Sequence, residues 1–155
     1  MFETLVISDV LRNLIYLVVA YALAFPIGWH REVEERSAGL RTFPLVSMAS
    51  CGFVMIATQV LEPESHAQVL EGLITGIGFI GGGAILKQGD RAVGTATAAG
   101  LWATGATGAA VGFGQLDIAV ILSVVIFMTL TLLAPLKRAI NEEPEEPEPT
   151  VEGED

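Results

Sequence analysis

The sequence is short of charge, of cysteine and, past Arg138, of any base. Only 17% of residues are charged, against roughly 25% in soluble domains, so the polar coat of a water-soluble fold is missing. A single cysteine, Cys51, excludes an intrachain disulfide and says little about redox compartment. No Ser-His-Asp set, HExxH, Cys/His cluster or phosphate loop occurs, so neither enzymatic activity nor a metal centre or cofactor is expected. GIGFIG at 76–81 matches GxGxxG, but no strand precedes it and no polar helix follows, which rejects dinucleotide binding. The net charge of −10 is local: residues 142–155 hold eight of the 18 acids and no base, leaving ten acids against eight bases. No basic patch remains for nucleic acid.

What the chain does have is apolar length. Its hydrophobic fraction is 52% and its mean hydropathy +0.58. At 155 residues it allows one domain. Five largely uncharged runs follow one another, at residues 13–29, 42–61, 67–86, 92–116 and 118–136. The second alone is twenty residues long, enough for about 30 Å of hydrocarbon. The first lacks the basic start of a signal peptide and reads as a retained span, with Pro26 set to kink or end it. The fifth, dense in Val, Ile and Leu, reads as lipid-facing. The prediction is an all-α integral membrane protein, a bundle of about five transmembrane helices over residues 1–138. Residues 139–155 form an acidic tail with too little apolar surface to fold.

Charge between the runs predicts orientation. Arg31, Arg36 and Arg41 follow the first run, Lys87 and Arg91 the third, and Lys137 and Arg138 the fifth, while the other two loops contain no base. Seven of eight bases thus share one side, which the positive-inside rule makes cytoplasmic. The N-terminus is expected outside and the tail inside.

Five of the twelve residues in TGIGFIGGGAIL (75–86) are glycine. Within a bilayer glycines let helices approach backbone to backbone. Gly72 and Gly76 form one small-xxx-small pair, Gly78 and Gly82 a second on another face, with Gly83 beside them. Glycine on two faces predicts a helix surrounded by others, at the bundle's centre. The fourth run, rich in Ala, Gly and Thr, is expected inside as well. Thr97, Gly100, Thr104, Thr107 and Gly108 on it favour packing, although threonine hydroxyls can also line a pathway. Trp102 is a packing residue or an interface anchor. Ser47 and Cys51, one turn apart, suit a small packing face without thiol chemistry.

Helical spacing puts Glu71, Thr75, Gly78 and Gly82 on one face. Glu71 is then either a functional carboxyl on a buried polar face or an acid near a helix end, where water is close. Arg31, Glu32 and Arg41 either anchor helix ends as exposed pairs, worth about 0–1 kcal/mol, or form a buried network closing the inner face. His30 beside them is a lone histidine and reads as incidental.

Four strings in order, GWHRE (28–32), AGLRT (38–42), TGIGFIGGGAIL (75–86) and GTATAAGLW (94–102), resemble the membrane domain of the MgtC/SapB family over roughly residues 10–136. His30, Phe43, Gln68 and Glu71 depart from that family's usual pattern, and the chain looks like a short form without the C-terminal cytoplasmic domain. The resemblance implies a multi-pass protein of the bacterial inner membrane, embedded in the lipid bilayer. It also implies roles in magnesium limitation and acid stress through a membrane-protein partner or a homo-oligomer. It favours the buried network of Arg31, Glu32, Arg41, Glu71 and Thr75. The alternative is a Mg²⁺ transporter or channel using Glu71 and the threonine-lined faces.

Overall fold

The computed structural model describes residues 7–34, 38–89 and 91–141, with side chains to residue 134. Arg36 and residues 142–155 of the expected tail lie outside the described residues, whereas residues 139–141, expected to begin that tail, continue the last helix of the chain. Among the described residues five α-helices form a single bundle: α1 (Ile7–Val33), α2 (Thr42–Val60), α3 (His66–Gly83), α4 (Thr95–Gly112) and α5 (Leu116–Asn141), with a short 3-10 turn at Pro63–Ser65. Three of them, α1, α2 and the Leu116–Ala134 part of α5, are long and apolar enough to cross a membrane. Between α3 and α4, β1 (Leu86–Gln88) and β2 (Arg91–Val93) form a short antiparallel hairpin, with Lys87 opposite Ala92.

Local chemistry sets the ends. Asp9 lies in the first turn of α1 and Arg31 in its last, each complementing the helix dipole. Pro26 does not end this helix, which runs on to Val33; neighbouring helices hold together a span that has lost one internal hydrogen bond. Gly94, at φ 90°, caps the start of α4, and any side chain there would strike the Ala84 carbonyl. Gly114, at φ 75°, closes α4 with hydrogen bonds from Gln115 N to Ala110 O (2.9 Å) and Gly114 N to Val111 O (2.8 Å). That paired arrangement satisfies two terminal carbonyls and requires a left-handed residue.

The central helix is α4, not α3. It packs against all four others, most extensively α2. Its buried residues include Gly100, Thr104, Gly108 and Gly112, spaced four apart so that they form one ridge-free face. A Cβ on Gly108 would fall on the Ser47 carbonyl, and one on Gly112 would lie 2.8 Å from the Cys51 carbonyl oxygen. The two backbones therefore touch. Serines join the remaining helices: Ser47 Oγ donates to Ala20 O (2.8 Å) and Ser123 Oγ to Leu23 O (2.6 Å). Around these contacts sit two apolar clusters, one on Ala20, Cys51, Met55, Val111 and Ala119, the other on Ile27, Ala38, Phe43, Leu101 and Ile126.

The expectation that α3 occupies the centre is overturned. Only Ile77 and Gly81 of that helix are buried, both against α4, where Ile77 lies on Gly105 and Gly81 on Ala98. Gly72, Gly76, Gly78, Gly82 and Gly83 are exposed, with nothing within 4 Å of an added Cβ. Glycine permits a close neighbour without supplying one. The large side chains interleaved in α3, such as Phe79 at 86% exposure, instead need lipid around them. On α4 the interleaved residues are mostly Ala and Thr, with Leu101 and Val111 buried and Trp102 turned outward, so other helices can close in on several sides. The expectation for the fifth run does hold: Ile121, Val124, Val125, Leu132 and Leu133 of α5 face outward.

Candidate functional site

One end of the bundle gathers the end of α1, the 38–41 loop and the start of α4. Arg31, only 5% exposed, donates from Nη2 to Thr97 Oγ1 on α4. Its Nη1 lies 3.7 Å from Glu34 Oε2, and His30 Nε2 is 3.8 Å from the same oxygen. The His30 ring meets Phe127 edge-on, so α1, α4 and α5 converge here. A buried guanidinium must be paired and hydrogen-bonded, and the Glu34 carboxylate just past the end of α1 and the Thr97 hydroxyl across the interface both contribute to that.

The network expected of Arg31, Glu32, Arg41, Glu71 and Thr75 is divided. Glu32 turns to the loop, where its Oε2 accepts the Leu40 amide at 2.9 Å. A side chain on Gly39 would overlap that carboxylate. Gly28 completes the fit: a Cβ there would lie 3.0 Å from the Gly39 carbonyl. Arg41 is exposed. Glu71 and Thr75 are on the outside of α3, with Thr75 Oγ1 donating to the Glu71 carbonyl (2.9 Å). On α4, Thr97, Gly100, Thr104 and Gly108 are all buried, whereas Trp102 is half exposed. Thr107 Oγ1 donates to Ala103 O at 3.2 Å within its own helix.

Two features escaped sequence reasoning. Glu34, not Glu32, faces Arg31; the i, i+3 spacing on α1 was the available signal. The other is a groove of about 710 Å³ between α2 and α3, running from Arg41 and Thr42 along Ala49 to Phe53 on one wall and along Gly72 and Gly76 on the other. Among the described residues no group of three or more His, Cys, Asp or Glu is placed to hold a metal ion.

The chain matches the MgtC family over residues 17–139. It is 36% identical over 133 residues to an uncharacterized protein of Synechocystis, covering 86% of this chain and 57% of that one. The protein MgtC of Brucella abortus is 36% identical over 124 residues (80% of this chain, 52% of that protein). MgtC of Salmonella typhimurium is 33% identical over 128 residues (83% and 55%). The chain thus spans little more than half the length of these relatives. No solved structure matches it. Since the matched region begins within α1 and ends within α5, and so takes in the whole α4-centred core, this chain belongs to the MgtC family.

Proposed function

We propose that this chain is a non-enzymatic, multi-pass protein of the bacterial inner membrane that binds and modulates another membrane protein during magnesium and acid-stress adaptation. The observation that carries the reading is the outer face of α3. Gly78 and Gly82 stand there one turn apart with open space above them. Glu71 and Thr75 continue the same face, and Phe79 projects beside it. Small residues at this spacing let a second helix approach closely, and none inside the bundle does so. The adaptation role is carried over from the family resemblance. A Mg²⁺ pathway through Glu71 gains nothing from its position on the lipid-exposed surface, because a hydrated divalent ion needs several oxygen ligands together.

A photo-crosslinking residue at Phe79 in native membranes tests the partner. We expect one discrete adduct, lost in Gly78→Leu and Gly82→Leu although both variants accumulate as folded protein. Proteoliposomes of the purified chain should show no Mg²⁺ flux. Glu71-dependent Mg²⁺ uptake by the chain alone would refute the modulator reading.

The orientation has its own measurement. In a Cys51→Ala background, single cysteines at Ser65 and Gln115 should react with an impermeant thiol reagent from outside. One at Gln88 should react only after the membrane is opened. The reverse pattern would invert the topology derived from the bases.

A further inference from the structure

We propose that the groove between α2 and α3 holds an acyl chain of one anionic phospholipid, with the lipid phosphate on Arg41. The groove is walled by Thr42 to Phe53 of α2 and by Gly72, Gly76 and Ile80 of α3. Of its two lining hydroxyls, that of Ser50 donates to the Val46 carbonyl (2.8 Å) and Thr42 sits beside Arg41 at the end of the groove. An apolar trough of about 710 Å³ open to a bilayer is filled by hydrocarbon, since water there would meet almost no partners.

Length selects a lipid over a helix. From Thr42 to Phe53 the α2 wall rises roughly 17 Å at about 1.5 Å per residue. That is close to one leaflet of a hydrocarbon core of about 30 Å. A docked transmembrane helix would need a seam across both leaflets. The absence of side chains at Gly72 and Gly76, each with nothing within 4 Å, gives the groove its width.

Charge selects the headgroup. Arg41 lies at the groove's mouth, is exposed, and has no ion-pair partner among the described residues. Arg31, by contrast, is committed to Thr97 and Glu34. A guanidinium at the end of an apolar groove matches a phosphate joined to an acyl chain, and basic pockets between membrane helices on the cytoplasmic side are known to hold anionic headgroups. The inference needs the membrane setting but not the partner on the outer α3 face, which uses different glycines.

The test is native mass spectrometry of the full, delipidated chain in detergent, titrated with dioleoyl phosphatidylglycerol or dioleoyl phosphatidylcholine. One phosphatidylglycerol per chain should be retained, and phosphatidylcholine should dissociate at lower activation energy. Arg41→Gln, at an exposed position, should weaken phosphatidylglycerol binding roughly fivefold, the loss expected for one base at an anionic surface. Gly76→Leu, which grows into open space, should remove the bound lipid with helical content and elution volume unchanged. Equal retention of the two lipids, or undiminished binding in Arg41→Gln, would overturn the proposal. So would a dimer of the chain that Gly76→Leu dissociates while lipid stoichiometry stays the same, which would assign the groove to a second copy.

Discussion

Gly108→Leu will abolish accumulation of folded protein, whereas Gly82→Leu, in a sequence context richer in glycine, will leave it near wild type. The distinction is what each new side chain meets. At Gly108 the first added carbon already overlaps the Ser47 carbonyl and comes close to the Ser47 Cα. Backbone cannot rotate aside as a side chain can, so α2 and α4 must separate. Separation opens the interface that also carries Gly112 against Cys51 and Val54, and Gly100 against Phe43. Overpacking a core costs about 1–3 kcal/mol when side chains can shift; here we expect ~3 kcal/mol or more, a large part of a typical folding free energy of roughly 5–15 kcal/mol. Gly108→Ala should already lower the midpoint of thermal unfolding in detergent, because the clash is with its Cβ. At Gly82 nothing lies within 4 Å. The readout is the fraction of monodisperse protein by gel filtration with thermal unfolding of what is recovered. Wild-type behaviour of Gly108→Leu would mean that α2 and α4 are not in backbone contact.

The same pair of glycines shows what could be read from sequence. The number of helices, their approximate ends and the outward-facing apolar side of α5 followed from run length and residue size, although only α1, α2 and the Leu116–Ala134 part of α5 are long and apolar enough to cross a membrane. Which glycine-rich helix is central did not follow. Gly78 and Gly82 on α3 and Gly100 and Gly108 on α4 have the same local chemistry, and only tertiary packing distinguishes them. A partial clue lay in the residues between: Phe79 and Ile80 on α3 against Ala103, Thr104, Ala106 and Thr107 on α4, where Leu101 and Trp102 are the larger exceptions. At the site, Arg31 was identified but its partner was mistaken. Glu32 and Glu34 flank it at one and three residues, and helical geometry favours the second for a side-chain pair. Thr97 as the third member depends on how α1 crosses α4, for which the sequence carried no signal beyond a threonine at a helix start.

Glu34→Gln will destabilise the protein more than Arg31→Met, and combining them will restore much of the loss. Arg31 is 6% and Glu34 13% exposed in their side chains, so both charges are largely withdrawn from water. Removing one member of a buried ion pair leaves the other uncompensated, at a cost of about 3–5 kcal/mol. The cost is unequal here. Arginine cannot shed its proton, so in Glu34→Gln the guanidinium stays charged beside Thr97 and a neutral amide. In Arg31→Met the remaining carboxylate, at 13% side-chain exposure and beside His30, can turn toward water, which limits the penalty. With both replaced, neither charge of the pair is left, and methionine takes the space of the Arg31 side chain with a flexible apolar chain. Thr97→Val is the companion variant: it removes the hydroxyl that accepts from Nη2 at constant shape, for a loss of about 1.5–3 kcal/mol typical of a hydrogen bond to a charged group. The measurement is a double-mutant cycle on thermal unfolding midpoints in one detergent. A restoring coupling between Arg31→Met and Glu34→Gln is the expected result. Additive losses would show that the two side chains do not stabilise each other.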